Sequence, residues 1–448
     1  MKAKLFLFAF TAALGGLLFG FDTAVISGTT EMIQRRFSMD EAMLGWAVSS
    51  ALVGCVIGAI GIGHPGDVFG RRKMLFVTAA LFFISAVWTG AANSYTGFIL
   101  ARLIGGIGVG GASVMAPMYI SEISPPRMRG RLVSTAQLAI VVGIVAAFFS
   151  NYLLVNLGED SWRYMFWAEC VTAAAFFFML FFVCPSPRWL VKVGRTEEAL
   201  EVIRMMDPEE DPERVLGDIT RSLAHEGQAL GFALFRPPYL RLVLIGIFVG
   251  MFNQLTGINV IMYYAPAIFR SAGFAEQSAL LQTVAIGGTN LLFTLVGMAL
   301  IDKVGRKTLL LVGALGMPAC LGLVTVGLIQ EIQGAFLLVS MLGFIVFFCT
   351  TQGVVIWVIL SEMFPNRIRA RATALGSFSV WAVNAITAFL FPILAKELGT
   401  GSVFAIYAAA TLASFFFFWK YLIETKGRTL EEIEGLVLKE LAHDRNKD

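Results

Sequence analysis

Charged side chains are scarce in this sequence, at 15% of the 448 residues, whereas 57% of the residues are hydrophobic. An ordinary soluble domain carries about 25% charged residues. The composition therefore excludes a soluble globular protein and predicts an integral membrane protein that has the lipid bilayer as a partner. The net charge of +3 is small and follows basic residues in the connecting loops, so no nucleic acid is expected as a partner.

Residue types that carry metal or nucleophilic chemistry are also few. The three histidines, His64, His225 and His443, lie far apart in predicted loops or tails. The five cysteines fall in or at the ends of apolar runs without metal-ligand spacing, which favours packing over disulfides or a metal site. They are Cys55, Cys170, Cys184, Cys320 and Cys349. A phosphate loop of the form Gly-x-x-x-x-Gly-Lys-Ser/Thr is missing from the sequence, and we expect no enzyme activity, no metal and no cofactor.

The period-two alternation of β-strands is missing as well, while apolar runs of roughly 18 to 28 residues recur between short polar connections. The sequence thus predicts an all-α integral membrane protein with 12 transmembrane helices. The predicted spans are residues 5–28, 42–63, 74–92, 97–120, 130–153, 163–184, 239–269, 277–301, 308–329, 335–361, 370–395 and 401–423.

Two loop motifs occur twice. Ser-Glu-Ile-Ser-Pro-Pro-Arg-Met-Arg-Gly-Arg at 121–131 returns as Ser-Glu-Met-Phe-Pro-Asn-Arg-Ile-Arg-Ala-Arg at 361–371, and Asp-Val-Phe-Gly-Arg-Arg-Lys at 67–73 returns as Asp-Lys-Val-Gly-Arg-Lys at 302–307. The duplication predicts two parallel six-helix halves. The predicted domains are an N-terminal half at 1–184, a cytoplasmic linker with short helices at 185–238, a C-terminal half at 239–423, and a cytoplasmic tail at 424–448 with a charged, helix-like segment at 430–441.

Basic residues concentrate in every second connection. They occur at 71–73, 127–131, 185–238, 303–307 and 367–371, whereas the remaining loops hold few of them. Because cytoplasmic loops are enriched in Lys and Arg, we expect these connections and both termini on the cytoplasmic side of the membrane.

One stretch of an apolar run, residues 250–266, carries several polar side chains. They are Asn253, Gln254, Thr256, Asn259, Tyr263 and Tyr264. An amide that faces lipid costs several kcal/mol, so these groups should face a wet cavity or another helix. An ideal helix would hold Gln254 and Asn259 about 140° apart, but Gly250 and Gly257 permit a local break. Amides suit a ligand rich in hydroxyls; the alternative is that they join helices.

The duplicated loops place acidic and basic side chains at helix ends on the expected cytoplasmic side. We expect ion pairs of Glu122 with Arg129 and of Glu362 with Arg369 to hold a cytoplasmic gate shut. Exposed pairs contribute about 0–1 kcal/mol each, a scale that suits a latch that must also open. The alternative is that these charges only set the membrane topology. The same loops also contribute Asp67, Arg71, Asp302 and Arg306.

Two charges stand inside predicted spans, Asp22 in the first and Arg102 in the fourth, and Glu169 in the sixth is a third candidate for the same network. A carboxylate near the bilayer midplane costs about 2.5–3.5 kcal/mol and must be paired, hydrated or protonated. Movement of Asp22 between a desolvated environment and the arginine would let it carry a proton. A static Asp22–Arg102 structural pair is the alternative.

Five segments carry a family resemblance. They are Gly-Gly-Leu-Leu-Phe-Gly-Phe-Asp-Thr-Ala-Val-Ile-Ser-Gly at 15–28, Arg-Leu-Ile-Gly-Gly-Ile-Gly-Val-Gly at 102–110, Pro-Arg-Trp-Leu at 187–190, Gln-x-x-Gly-Ile-Asn at 254–259 and Glu-Thr-Lys-Gly-Arg at 424–428. In this order they resemble the sugar porter family of the major facilitator superfamily, and the similarity covers nearly the whole chain. The resemblance implies the major facilitator fold in a bacterial inner membrane and activity as a monomer.

The resemblance also implies a pyranose site, in which amides bond the sugar hydroxyls and aromatic faces cover the ring. Its implied residues are Phe19, Gln137, Asn253, Gln254, Asn259, Tyr263, Asn290, Trp357, Trp381 and Asn384. Asp22 matches the family's proton-coupling position, and Arg102 is expected to favour proton release. Arg188 and Glu424, from the matching segments, join the expected cytoplasmic gate.

The chain departs from the family pattern at five positions. Asn253 replaces a glutamine, Val380 stands where relatives have another pocket glutamine, and Val354 replaces a proline after Gly353. Val68 replaces a loop arginine, and Pro185 stands where a glutamate is expected. These departures affect the substrate preference, the tenth span and the gate of the first half.

We therefore expect a proton-coupled importer of a monosaccharide, a pentose or hexose similar to D-xylose or D-glucose. It is expected to work by alternating access with the sugar bound between the halves, and the proton is the coupling ion. The alternatives are a passive sugar facilitator, in which Asp22 is structural, and a sugar sensor that does not transport.

Overall fold

The computed structural model describes residues 2–125, 127–206, 210–225, 239–332, 334–365, 368–427 and 432. Within these ranges the regular secondary structure is helical and no residue belongs to a β-strand, which confirms the predicted all-α class. Residues 226–238 of the predicted linker lie outside the described residues, as does the predicted helix-like segment at 430–441 apart from Glu432.

In this part of the chain, 12 helical segments are long and apolar enough to cross a membrane. Each overlaps one predicted span, so the prediction of a multi-pass membrane protein with 12 transmembrane helices is confirmed. The segments are Lys4–Gly28, Glu41–Gly61, Arg71–Ala91, Tyr95–Ile123, Arg129–Leu157, Ser161–Phe182, Tyr239–Ser271, Glu276–Val304, Arg306–Ile329, Ala335–Glu362, Arg371–Leu398 and Thr400–Tyr421.

The α-helices are numbered here in chain order. They are α1 (Lys2–Val25), α2 (Thr30–Arg36), α3 (Glu41–Gly61), α4 (Gly63–Phe69), α5 (Arg71–Ala91), α6 (Tyr95–Ile123), α7 (Arg129–Leu154), α8 (Ser161–Met179), α9 (Pro187–Lys192), α10 (Thr196–Met206), α11 (Pro212–His225), α12 (Tyr239–Gln254), α13 (Ile258–Ser271), α14 (Glu276–Val304), α15 (Arg306–Ile329), α16 (Ala335–Thr350), α17 (Gln352–Glu362), α18 (Arg369–Leu398) and α19 (Thr400–Tyr421).

Two of the spans are each built from two helices. The seventh span is divided between α12 and α13, where Gly257 has a φ of 79° in the left-handed region that favours glycine. The tenth span is divided between α16 and α17, where Thr351 has φ −124° and ψ −95°, outside the helical region. The glycines of 250–266 pointed to the first break, and the second lies inside the span predicted at 335–361.

By the contacts among their helices, the described residues form two compact units. One is drawn from Met1–Asp40 and Trp46–Gln228, and the other from Glu41–Gly45 and Ala229–Asp448. The short helices α9, α10 and α11, which lie in the predicted linker, group with the first unit. The domain boundaries given above stay a prediction.

In the first unit, α1 packs along α7, and α5 packs against α6 and α8. The α1–α7 contact is close because glycines lie on both sides: a Cβ on Gly20 would overlap the carbonyl of Ile140, and a Cβ on Gly143 would overlap the carbonyl of Leu17. Small residues at such an interface are the usual way for membrane helices to approach closely.

The second unit has a core of aliphatic and aromatic side chains contributed by α12, α15, α17, α18 and α19. On α17 the buried positions are 352, 355, 356, 359 and 360, a spacing of three and four residues that lies along one face of a helix. This packing fixes the direction of α17 after the break at Thr351.

We predict that Gly143→Ala destabilises the protein, because the added methyl group forces the α1 and α7 backbones apart. Overpacking of this kind costs about 1–3 kcal/mol, so the thermal unfolding midpoint of the purified protein in detergent should fall. The matched control is Gly130→Ala in the same helix, where a Cβ meets no atom within 4 Å. An unchanged midpoint for Gly143→Ala would show that the helices do not need this close approach.

Candidate functional site

The break between α12 and α13 brings together amides that a straight helix would separate. Asn253 and Gln254 end α12 and are buried, and Asn259 lies in the first turn of α13. The Nδ2 group of Asn259 donates to Oε1 of Gln254 at 2.5 Å, and Nε2 of Gln254 donates to Oδ1 of Asn253 at 3.0 Å. The left-handed turn at Gly257 thus aligns three amides in one hydrogen-bonded row.

A second pair of polar groups in this unit joins α13 to α18. The Nδ2 group of Asn384 donates to the Tyr263 hydroxyl at 3.2 Å. The side chains of Asn384 and Asn253 are both buried. Even so, Oδ1 of Asn384 and Nδ2 of Asn253 have no hydrogen-bond partner among the described residues. A buried amide atom without a partner costs about 1–3 kcal/mol, so these two atoms retain hydrogen-bonding capacity for a polar ligand.

The other residues of the second unit that are predicted to bind sugar differ in how far they are buried. Asn290 is buried, and its Oδ1 accepts from the Thr294 hydroxyl at 3.1 Å and from the Cys349 thiol at 3.2 Å. Trp381 is half-buried on α18. Trp357 is 39% exposed and lies off the buried face of α17.

The first unit contributes Phe19 on α1 and Gln137 on α7, both half-buried. Among the described residues, the side chain of Gln137 has no hydrogen-bond partner, and its neighbour Ala136 packs against Gly16 of α1. The amide of Gln137 is therefore also available to a polar ligand.

A charged cluster lies inside the first unit. Nη1 of Arg102 donates to Oδ1 of Asp22 at 2.5 Å, Nη2 donates to the backbone carbonyl of Asp22 at 3.2 Å, and both side chains are 1% exposed. Glu169 is equally buried and lies within electrostatic reach of both groups. The guanidinium of Arg102 also lies over the Phe166 ring, 5.5 Å from its centroid. The predicted network of these three charges is thus brought together in space.

The cluster holds more acidic than basic groups. Two carboxyls face one guanidinium, and burial makes an uncompensated charge costly. One proton on the two carboxyls would make the cluster neutral, which is the arrangement that carboxyl pairs in one site commonly adopt.

The repeated loop of the first unit is organised by Arg71, the first residue of α5. Its guanidinium binds Asp67 at 2.8 Å, Glu122 at 3.0 Å and the carbonyl of Gly66 at 2.9 Å. Ser186 donates its hydroxyl to Glu122. Among the described residues Glu122 thus binds Arg71, which is held beside it at the start of α5, while Arg129 is exposed at the start of α7. The gating role of Glu122 and Arg129 stays a prediction.

The second unit repeats this arrangement around Arg306, the first residue of α15. Its guanidinium binds Asp302 at 3.0 Å, Glu362 at 3.2 Å and the carbonyl of Ile301 at 3.3 Å. The Thr425 hydroxyl donates to Glu362 at 2.7 Å. Nε of Arg369 donates to the carbonyl of Phe364 at 3.1 Å. The gating role of Glu362 and Arg369 stays a prediction.

Two other predicted gate residues bind different groups. Arg188 donates to the Ser222 hydroxyl of α11 at 3.3 Å. The carboxylate of Glu424 accepts from the backbone N–H groups of Arg306 at 2.8 Å and Lys307 at 3.1 Å, at the N-terminus of α15. A carboxylate at a helix N-terminus is stabilised by the unpaired N–H groups and the helix dipole.

Asp67 has a perturbed ionisation. Partial burial by itself raises its pKa, but the hydrogen bond and charge of Lys192, at 3.1 Å, together with Arg71, outweigh it and hold the pKa below its ordinary value. Such a group stabilises the fold above its unfolded pKa, and the contribution is lost as the pH falls through the lowered folded value.

Sequence reasoning missed three polar residues that the structure makes prominent. Ser186 and Thr425 bind the two loop glutamates from equivalent positions, and a comparison of residues 185–186 with 424–425 could have found them. Gln352 at the break in the tenth span is fully buried, and neither of its amide atoms has a partner in the described part of the chain; no sequence pattern indicated it.

In the described part of the chain, 12 helices long and apolar enough to cross a membrane carry buried charges and amides inside the spans, an arrangement that defines the class of membrane transporters. The family model described as "Sugar (and other) transporter" matches residues 8–436. The chain is therefore a member of the sugar transporter family and has the major facilitator fold.

Curated relatives cover nearly the whole chain. The chain is 38% identical to the D-xylose-proton symporter of Escherichia coli (strain K12), over 97% of this chain and 96% of the relative. It is 40% identical to the glucose transport protein of Synechocystis sp., over 94% and 95%, and 37% identical to the arabinose-proton symporter of Bacillus subtilis, over 96% and 94%.

Solved structures of sugar transporters also match nearly the whole chain. The xylose transporter of Escherichia coli in an inward-open conformation matches with a TM-score of 0.86 at 37% identity, covering 96% of this chain and 99% of the other. A structure of the proton:xylose symporter bound to 6-bromo-6-deoxy-D-glucose matches with a TM-score of 0.79, also at 37% identity, covering 97% and 99%.

We predict that Glu424→Gln destabilises the protein, because the neutral amide loses the charge-assisted hydrogen bonds to the first turn of α15. The expected loss is about 1–2 kcal/mol, measured as a lower thermal unfolding midpoint. The control is Glu159→Gln, which removes an exposed carboxylate from a loop. Equal midpoints for the two variants would contradict a stabilising role for Glu424.

Proposed function

We propose that this chain is a proton-coupled monosaccharide importer that works by alternating access. The observation that carries the proposal is the buried cluster of Asp22, Arg102 and Glu169, with two carboxyls and one guanidinium. A site that is neutral only after binding one proton is suited to carry that proton through the membrane. The xylose and arabinose relatives are named as proton symporters, which supports the same coupling here.

The proposed proton step follows from the Arg102 contacts. Protonation of Asp22 removes the negative charge that its 2.5 Å contact to Arg102 satisfies. The guanidinium can then turn towards the carboxylate of Glu169, which is the other acidic group in its reach. Return of Arg102 to Asp22 would favour release of the proton. Each proton that moves down a 100 mV potential supplies about 2.3 kcal/mol, enough for roughly fiftyfold sugar accumulation.

The proposed substrate is a pentose or hexose similar to D-xylose or D-glucose. The residues proposed to bind it are Phe19, Gln137, Asn253, Gln254, Asn259, Tyr263, Asn290, Trp357, Trp381 and Asn384. Support comes from the amide row at the α12–α13 break and from the unpaired amide atoms of Asn253 and Asn384. These groups would donate to and accept from sugar hydroxyls, and a site of this kind discriminates against an analogue that lacks one hydroxyl.

The ion-pair networks around Arg71 and Arg306 are proposed to form the cytoplasmic gate, each network acting within its own half. Arg71 with Glu122, and Arg306 with Glu362, would hold the ends of neighbouring helices together in one state and release them in another. We further propose that both termini lie in the cytoplasm, that the membrane is a bacterial inner membrane, and that the protein acts as a monomer. The distribution of basic loops and the bacterial relatives support the orientation and the location.

We predict that Asp22→Asn abolishes accumulation of sugar driven by a proton gradient, because the amide cannot carry the proton. The measurement is uptake of radiolabelled D-xylose and D-glucose into proteoliposomes, with and without an inward proton gradient, alongside exchange of the same sugars at equilibrium. Exchange should survive in the variant.

The control for this experiment is Asp160→Asn, which removes a largely exposed carboxylate paired with Arg163. Wild-type uptake that is equal with and without the gradient would favour a passive facilitator with a structural Asp22. Binding without uptake of either sugar would favour a sensor.

We predict that Asn259→Ala weakens sugar binding about 10- to 100-fold, because it removes one amide of the row and leaves Oε1 of Gln254 without its partner. The measurement is the dissociation constant of the transported sugar for purified protein, by tryptophan fluorescence or calorimetry. The control is Gln277→Ala, an exposed amide in the first turn of α14. A dissociation constant within twofold of wild type would place the sugar elsewhere.

A further inference from the structure

The break in the tenth span is followed directly by a glutamine. Thr351, at the break, has non-helical dihedral angles, and its hydroxyl donates to the carbonyl of Phe347. Its side chain also lies against Gly313 of α15, where a Cβ would be 2.1 Å from the Thr351 hydroxyl oxygen. Gln352 is the first residue of α17. The packing of the break against α15 therefore sets the position of Gln352 in the span.

Gln352 has unsatisfied hydrogen-bonding groups in the interior of the second unit. Its side chain has no exposed surface, and neither Nε2 nor Oε1 has a hydrogen-bond partner among the described residues. A buried amide that bonds nothing is less favourable than an apolar side chain of the same size. Packing by itself thus favours an apolar residue at this position, whereas a polar ligand would satisfy the amide.

Contacts near the other end of α17 show how it is aligned with its neighbours. A Cβ on Gly376 of α18 would lie 2.8 Å from the side chain of Leu360 on α17 and 3.5 Å from the carbonyl of Gly246 on α12. A Cβ on Gly246 would in turn lie 2.5 Å from the ring of Phe364, just after α17. The three helices α12, α17 and α18 therefore meet at one level of the second unit.

The course of these helices brings three amides to a second common level. Successive spans cross a membrane in opposite directions, so α12 and α18, in the seventh and eleventh spans, run parallel, and α17, in the tenth, runs against them. The contact of Gly250 with Ser379 agrees with this parallel course. Moving roughly 10 to 12 Å along each helix from the first meeting point leads to Asn253 on α12, Gln352 on α17 and Asn384 on α18.

The three amides are buried and have complementary unpartnered atoms. Gln352 shares the buried face of α17, and Asn253 lies two turns after Gly246, on the side of α12 that contacts Phe364. Among the described residues, the unpartnered atoms are the donor Nδ2 of Asn253, the acceptor Oδ1 of Asn384, and one of each kind on Gln352. Both donors and acceptors are therefore left at this level.

Asn290 links the same break to the proposed sugar site by a direct contact. Its Oδ1 accepts from the thiol of Cys349 at 3.2 Å, and Cys349 lies three residues before Gln352. The break is thus close to two of the residues proposed to bind sugar, to Asn290 through this hydrogen bond and to Asn253 through the alignment of α12 with α17.

We propose that Gln352 is a further specificity-determining residue, which hydrogen-bonds one hydroxyl of the bound sugar from the level of Asn253 and Asn384. This inference rests on the proposed sugar transport. A hydroxyl both donates and accepts hydrogen bonds, as does the side-chain amide of Gln352. A site of this kind rejects the analogue that lacks the bonded hydroxyl, because the amide then stays unpaired.

The experiment measures sugar affinity of the purified full-length protein by calorimetry. The ligands are D-xylose, D-glucose and the monodeoxy analogues of whichever of the two binds more tightly. In the wild type, loss of the hydroxyl that Gln352 bonds should weaken binding about tenfold or more. Gln352→Met keeps the length of the side chain without the amide. It should bind the parent sugar about tenfold more weakly and that one analogue as tightly as the parent, while discrimination against the other analogues is retained.

The thermal unfolding midpoint without sugar separates a ligand contact from a structural role. Gln352→Met should unfold at the wild-type temperature or above it, because an apolar side chain replaces a buried amide without partners. Gln352→Leu repeats the measurement with a side chain of another shape. The matched control is Gln277→Met, the same chemical change at an exposed position of α14, which should leave both the affinity and the midpoint unchanged.

Two results would overturn the proposal. One is a lower midpoint for both Gln352 variants, or failure of both to fold, which would show that the amide is structural. The other is a Gln352→Met protein that binds sugar with wild-type affinity, or that loses affinity for the parent and every analogue by the same factor.

The same measurements distinguish this inference from the proposed function. If the wild type binds neither sugar, the proposed function fails and the role of Gln352 fails with it. If the wild type binds sugar and the Gln352 variants give either overturning result, only the role of Gln352 is refuted.

Discussion

Polar groups inside an apolar membrane layer must find partners within the protein, and the arrangement of this chain depends on that constraint. The buried amide of Asn151 donates to the carbonyl of Val25, and the buried hydroxyl of Tyr264 donates to that of Ala388. Arg102 satisfies both the side chain and the backbone carbonyl of Asp22. Each of these contacts joins helices that are far apart in sequence, so polar pairing helps to fix which helices pack together.

Buried polar groups that this constraint leaves without a full set of partners indicate where a ligand or a proton could bind. Unpaired buried atoms on Asn253 and Asn384 lie in the second unit, where three amides are already in a row. The cluster of Asp22, Arg102 and Glu169 in the first unit has one acidic group more than its single basic group can match. The proposed function rests on these two features, the hydrogen-bonding capacity in one unit and the unbalanced charged cluster in the other.

The two duplicated loops share one network of charged residues around an arginine and differ beside it. Arg71 and Arg306 each bind an aspartate, a glutamate and a backbone carbonyl in the same geometry. Beside them, the Glu424 carboxylate binds the start of α15, whereas the Trp189 ring lies against Gly70 at the start of α5. This difference changes the electrostatics of the helix end while the arginine network is retained.

The sequence by itself determined the number of membrane helices, the all-α class and the family, because apolar runs of spanning length and motifs with fixed spacing are properties of the chain alone. It also indicated a break near Gly257, since glycine tolerates the left-handed conformation. Only the tertiary structure decided the partners of Glu122 and Glu362, the break at Thr351, and the roles of Ser186 and Thr425 as equivalent donors in the two loop networks. These depend on distances between residues far apart in sequence, and a side chain at a helix end binds whichever group packing brings within hydrogen-bond range.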